Sequence, residues 1–360
     1  MNIGWACQTY VHPMSQNIDP KILKTFTKIN FSKDKCNTQY KLSVIVLILL
    51  SCAWSCKSIH AIADAPNEDT VFYRFRANLD KIDNYMWESS LELFKKKKHL
   101  WKRRKIYLSI DETHDPYTGK FRKIIDWIFG YTQKRGETGN FKFLVFALTS
   151  YTQRLIVRVV PLKIGQDITP IIIETSKKVI EHTKIRAVLC DRGFYKSELV
   201  KCFLEENIPF IIRAKIPPKI KKCYDFKKTV VGEIYDFQNI QVNLVRHRDG
   251  YSRKYGFLTN LPEEIWQKIP LWYKQRWDIE NVFLACDKIQ LKTNSTKIER
   301  RYFCMVFSLL IYNLRSNESK QKPLLSFCVN LINTIIASIK KSFDVLKPPN
   351  LNLPGFIFIL

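Results

Sequence analysis

Three acidic residues stand where packing gives no reason for an acid. Asp111 follows the apolar run Tyr107-Leu108-Ser109-Ile110, and Asp191 follows Ala187-Val188-Leu189-Cys190, so each closes a segment that reads as a buried strand. Glu280 lies among Trp277, Ile279, Val282 and Phe283 in a stretch with helical spacing. A buried charge is costly unless it is paired or coordinated. Two acids at strand ends and one from a helix make a donor set for hard divalent cations, which take oxygen ligands. Two such cations about 3.5–4 Å apart are a common device for attacking a phosphodiester. Taken singly, each acid is better read as a cap or one half of an ion pair; the chemistry rests on the three together.

The neighbours of these acids narrow the reading. Tyr273, Arg276 and Glu280 stand at i, i+3 and i+7 and so share one helical face. Their plain alternatives are a core aromatic for Tyr273 and an ion pair with Glu280 for Arg276. Glu112 and Asp115 are further candidate ligands near Asp111, but Glu112 points to the opposite face if the strand continues. No phosphate-binding glycine loop or HExxH zinc motif is present, and His114 and His182 have no partner at metal-ligand spacing. None of the ten cysteines forms a CxxC pair, and several sit in apolar runs, which reads as buried reduced thiols and a cytoplasmic protein.

The elements that must position the acids follow from the pattern around them. Strands are expected at Ile106–Ile110, Phe141–Thr149 and Leu155–Leu162, then a helix at Asp167–His182, a strand at Ala187–Cys190, a helix at Ser197–Glu206 and a strand at Pro209–Ala214. Three strands close enough to pair as a meander, followed by strands that need helical crossovers, give an α/β fold with a ribonuclease-H-like mixed sheet. In that layout the first and fourth strands are neighbours, so acids at their carboxyl ends meet. Residues 105–215 form the first part of this core and residues 263–320 its final helices, which carry Glu280. Between them, residues 216–262 read as a β-rich insertion with many Lys and Arg. Residues 321–360 read as an apolar tail with an irregular end.

Residues 1–104 read as an N-terminal helical region, with short helices expected at Lys21–Asn30, near 42–54, at Thr70–Leu79 and at Asp83–Lys98. A DNA-binding head and a helical collar on the core fit it equally. The apolar stretch Leu42 to Cys56 falls short of the roughly twenty residues a spanning helix needs, which favours a core helix over a membrane segment. With 59 basic against 33 acidic residues the net charge is +26, and nucleic acid is the commonest partner for such a surplus. The densest run, KKKKHLWKRRK at 95–105, comes just before Asp111 and suggests a phosphate contact near the acids.

Three segments together, Ser109-Ile110-Asp111-Glu112-Thr113-His114-Asp115-Pro116-Tyr117-Thr118-Gly119-Lys120, Asp191-Arg192-Gly193-Phe194-Tyr195 and Tyr273-Lys274-Gln275-Arg276-Trp277-Asp278-Ile279-Glu280, resemble the DDE transposases of insertion sequences. Within them the likeness is to the family numbered four, marked by a Y-x2-R-x3-E-x6-K signature, and to its halophile-type archaeal branch. It covers roughly residues 40 to 315. The resemblance implies that Asp111, Asp191 and Glu280 are catalytic and hold two Mg²⁺ ions, with Mn²⁺ as a substitute. It also implies that Arg276 holds a DNA phosphate, that Tyr273 contacts the strand end, and that a lysine after Glu280 touches DNA. The signature lysine falls at position 287, where this chain has Asp287; Lys288 is the substitute, one residue off the face. The implied activity is metal-dependent cleavage and strand transfer at terminal inverted repeats, with target DNA as second substrate, a homodimer in the synaptic complex and no membrane partner. Asp287 keeps open the alternative of a decayed copy that binds DNA without cutting.

Overall fold

The computed structural model describes residues 42–62, 65–75, 78–101, 105–120, 126–130, 136–215, 230–249, 254–316 and 323–342. The helix expected at Lys21–Asn30 and most basic residues of the insertion, at 216–229, lie outside them.

The fold is built on one strand. β1, Tyr107–Tyr117, pairs antiparallel along its whole length with β3, Gly139–Thr149, from Tyr107↔Thr149 to Tyr117↔Gly139. On its other side it pairs parallel with β5, Val188–Cys190, but only over Leu108, Ser109 and Ile110. β3 also pairs with the two-residue β2, Ile128–Phe129, and with β4, Arg154–Leu162. Helix α5, Thr169–His182, returns the chain from β4 to β5, and α6, Ser197–Glu205, carries it to β6, Phe210–Arg213, parallel to β5. The order β4-β3-β1-β5-β6, antiparallel then parallel, is the ribonuclease-H-like mixed sheet. The strand expected to stop at Ile110 in fact runs on to Tyr117, because β3 is long enough to pair with it throughout.

Beyond β6 the sheet does not end. Strands β7 (Val230–Asp236), β8 (Gln241–Arg248) and β9 (Lys254–Thr259) form an antiparallel meander whose last member pairs with β6 through Ile211↔Thr259 and Ile212↔Leu258. The stretch therefore lengthens the same nine-stranded sheet. Gly232 on β7 leaves room for the ring of Trp266, which a Cβ there would strike. Trp266 belongs to the 3₁₀ turn Glu263–Lys268 that leads to α7, Ile269–Tyr273, so this contact ties the meander to the segment entering the candidate site.

The central strands are covered on both faces, which is why they read as continuous apolar runs. Leu108, Ile110, Val188, Cys190, Phe210 and Ile212 belong to the larger core, while Tyr107, Leu189 and Ile211 belong to a smaller one with Trp272 and Tyr273. The period of two in these memberships is the strand alternation itself. The larger core is closed by α1 (Leu42–Ser55), α2 (Glu68–Phe75), α3 (Leu79–Lys96), α9 (Ile298–Ser316) and α10 (Leu324–Ser342). Between α3 and β1 lies the one-turn α4, Lys98–Trp101. α1 is apolar all round and buries Val44 through Ala53; no helix among the described residues is long and apolar enough to cross a membrane. The segment read from sequence as a tail contains α10, whose Phe327, Cys328, Leu331 and Ile332 pack in the same core as α1. Its Leu, Phe and Ile carry a helical period that a reading by turn residues overlooks.

β4 is an edge strand, and an edge exposes unpaired backbone groups. Here helices satisfy them. Asn313 of α9 accepts from the Ile156 amide at 2.9 Å and donates to the Ile156 carbonyl at 2.7 Å, and the Ser90 hydroxyl of α3 donates to the same carbonyl at 2.7 Å. The Tyr302 hydroxyl donates to the Val159 carbonyl. Asn313→Ala strips the buried Ile156 amide of its partner and leaves the carbonyl to Ser90 alone, and we expect it to lower unfolding stability by about 1–3 kcal/mol. A denaturant titration showing no shift in midpoint would refute this account of the edge.

Candidate active site

The register of β1 with β5 ends at Ile110↔Cys190, so the next residues on the two strands are Asp111 and Asp191. Neighbouring strands run about 4.8 Å apart. The two acids thus emerge side by side where the parallel pairing of β1 and β5 ends. Asp191 begins the 3₁₀ turn Arg192–Phe194 and accepts from the Arg192 amide, which orients its carboxylate. Asp111 receives the Glu112 amide at 3.0 Å. Glu112 and Asp115 are engaged elsewhere: Glu112 lies 3.7 Å from Lys142 of β3, and Asp115 is paired with Arg301 of α9.

Glu280 comes from α8, Trp277–Cys286, which follows α7 through a 3₁₀ turn at Lys274–Arg276. Two interactions hold this segment against the sheet. The Tyr273 hydroxyl donates to the carbonyl of Cys190 at 3.3 Å, the residue just before Asp191. Arg154, at the start of β4, pairs with Asp278, two residues before Glu280. Tyr273 is therefore a buried aromatic of the smaller core as well as a brace for the strand end that carries Asp191.

Arg276 joins the acids. Its Nη1 donates to Asp111 Oδ2 at 3.0 Å and its Nη2 donates to Glu280 Oε1. The Arg276 side chain is 6% exposed and that of Glu280 is 50% exposed, so the bridge runs from the interior to the solvent mouth of the site. Arg276 also lies 5.8 Å from the centre of the Tyr273 ring. Its Nε is buried without a hydrogen-bond partner. Burial raises the Asp111 carboxyl to about 6; Arg276 and the Glu112 amide oppose this, while Glu280 and Asp191 push the same way as burial. For Arg276, burial works against the charge, but Tyr273, Asp111 and Glu280 more than offset it and hold its pKa above the usual value.

Among the described residues no three His, Cys, Asp or Glu side chains stand close enough to hold a metal ion. A guanidinium, that of Arg276, lies between Asp111 and Glu280. The donor set nevertheless fits a divalent cation in kind, since Asp111, Asp191 and Glu280 are hard oxygen donors, and the last two are near enough to Asp111 to act on its charge. Lys288 does not join them. α8 ends at Cys286, and Lys288 is exposed in the 3₁₀ turn Asp287–Ile289, about 12 Å along the axis from Glu280. Arg154 was not singled out from sequence, because an arginine at a strand start carries no signal about a partner 124 residues away.

Of the basic run, Lys102, Arg103 and Arg104 lie outside the described residues. Lys98 and Trp101 lie before the amino end of β1, whereas Asp111 lies beyond its parallel-paired segment. The strand that separates them in sequence also carries them apart in space.

Residues 102–314 match the family described as the transposase DDE domain. A solved structure, the cryo-EM structure of a piggyBac transposase synaptic complex with hairpin DNA, superposes with a TM-score of 0.53 at 13% identity, covering 92% of this chain and 79% of that one. No curated protein matches significantly.

We expect the Asp111 carboxyl, in chelator-treated protein, to titrate near pH 6 by carbon NMR, about two units above an unperturbed aspartate. Because Arg276 lowers this value, Arg276→Gln should move it further up. An Asp111 titration near 4 in both proteins would contradict the burial and bridging described here.

Proposed function

Because this chain belongs to the transposase DDE-domain family, we propose that it cuts and joins DNA at the terminal inverted repeats of a mobile element, an insertion sequence of the family numbered four and its halophile-type archaeal branch. The observation that carries this reading is that Asp111 and Asp191 follow the last paired residues of neighbouring parallel strands, while Arg276 bridges Asp111 to Glu280. Asp111, Asp191 and Glu280 would hold two Mg²⁺ ions, or Mn²⁺ in their place. Bound there, such ions supply activation of a water or 3′-hydroxyl and neutralise charge on the leaving oxygen.

The chain's own residues do the remaining work. Arg276 lies beside the acids with a planar fork suited to phosphate as well as carboxylate, and it holds the phosphate next to the scissile bond. Tyr273 keeps the end of β5 in place through Cys190, so that Asp191 meets Asp111 in register. Arg154 and Asp278 pin the first turn of α8, which carries Glu280. Lys288 takes a phosphate further along the strand. A homodimer pairs two element ends, target DNA enters the same site, and the protein acts in the cytoplasm, consistent with seven free cysteines among the described residues.

A second reading has one observation behind it. Asp287 occupies the signature's lysine position, and the exposed turn that holds it lies well past Glu280. A copy that binds ends without cutting would look like this.

Incubating a labelled duplex carrying the element's ends with Mg²⁺ or Mn²⁺ should give cutting at the end. Asp191→Asn should lower the rate by at least about a hundredfold, the scale expected when a charge-stabilising group is lost. Specific binding with no cutting by the unaltered protein would favour the second reading, and Asp287→Lys would then be expected to restore activity.

A further inference from the structure

A second charged site lies at the other end of the core. The start of β1 is tied to the turn before β5, with the Arg186 amide donating to the Ile106 carbonyl at 2.7 Å and the Leu108 amide to the Ala187 carbonyl at 3.1 Å. Against this junction opens a cleft of about 490 Å³ whose polar lining is Lys98, His182, Thr183, Lys184 and Arg186. Its floor is apolar: Trp101 is buried and its ring lies 5.6 Å from that of Phe94. From Arg186 to Asp191 the chain passes through β5, about 16 Å of extended strand. The cleft is therefore distinct from the carboxylate site.

Its charge is not neutralised. Lys98, Lys184 and Arg186 are exposed and pair with no carboxylate among the described residues, although the Arg186 guanidinium also lies 5.8 Å from the centre of the Trp272 ring. Lysines on the neighbouring helices behave differently: Lys177, Lys178 and Lys201 contact Glu206, Glu174 and Glu205. The groove between α5 and α6 is rich in acids, with Glu181, Glu198 and Glu205 in its lining. Positive charge is thus concentrated in one cleft and cancelled on the adjoining face, which orients a polyanion rather than merely attracting it.

We infer that this cleft binds the phosphate backbone of duplex DNA at a site separate from the one where cutting takes place. The inference rests on the DNA-binding part of the proposed function and requires no catalysis.

The test is fluorescence anisotropy of the full chain on a random-sequence duplex from about 50 to about 200 mM salt. Each phosphate contact contributes about 0.9 to the slope of log affinity against log salt. The triple variant Lys98→Ala, Lys184→Ala, Arg186→Ala should lose about 2–3 from that slope. The control Lys177→Ala, Lys178→Ala, Lys201→Ala removes the same formal charge and should leave the slope as it was. Equal losses in both variants, or none in the first, would overturn the site. Should the triple variant unfold, Lys98→Glu alone, at an exposed position, should still lower the slope by about 1, and an unchanged slope there overturns the site equally. End cutting that persists with an unchanged slope rejects this inference alone. A lost slope in a protein that never cuts rejects the catalytic reading alone.

Discussion

One buried guanidinium organises the acidic end of this molecule. Asp111 comes from the central strand and Glu280 from a helix 169 residues later, and Arg276 is the group that touches both. Charges removed from water are tolerated when paired, and breaking such a pair by removing one member typically costs about 3–5 kcal/mol because the survivor is left buried and alone. Asp111, largely removed from water, therefore needs a positive partner, whereas half-exposed Glu280 depends less on one. Arg276 supplies it from the turn that precedes the helix bearing Glu280, so the position of the helix and the charge balance of the site are a single constraint. Any cation that enters this cluster competes with an internal one already in hydrogen-bonded contact.

The rest of the architecture makes that contact possible. β1 carries Asp111 one residue past its parallel pairing with β5, and the same offset on β5 delivers Asp191. The helix with Glu280 has to lie across the sheet at a set height, and Arg154 and Tyr273 hold it from two directions. The edge strand that bears Arg154 is itself held by Asn313, Ser90 and Tyr302 from two helices. A side chain far from the acids thus fixes the strand on which one of their braces stands. Charge on the outside is arranged with similar economy, cancelled over α5 and α6 and left bare at the amino ends of β1 and β5.

The sheet order was legible in the sequence because buried parallel strands leave continuous apolar runs and crossover helices leave a period of 3.6. Asp111 and Asp191 stood out for the same reason, each breaking such a run at its end. The pairing of Arg276 with Glu280 followed from i, i+4 spacing, but its second bond to Asp111 did not, since nothing local relates residues 165 positions apart. Distance along the chain is a poor guide as well: Lys98 looks near Asp111 until the strand between them is given its length. The clamp by Asn313 had no signal at all, because an asparagine in an apolar helix announces neither its partner nor its purpose. The extension of β1 to Tyr117 was hidden by His114, Asp115 and Pro116, polar or strand-breaking types that tolerate pairing on one side.

The packing of α1 against α10 places the beginning and the end of the described chain in one core. During synthesis α1, apolar on every side, emerges well before its partner helix, which begins at Leu324, 269 residues after α1 ends at Ser55. At about 5–20 residues per second that interval is roughly 15–50 s. For that time the side of α1 that α10 covers is without its partner helix. A newly translated molecule is thus at its most adhesive before it is complete, and its yield in the cell depends on what shelters α1 until α10 arrives.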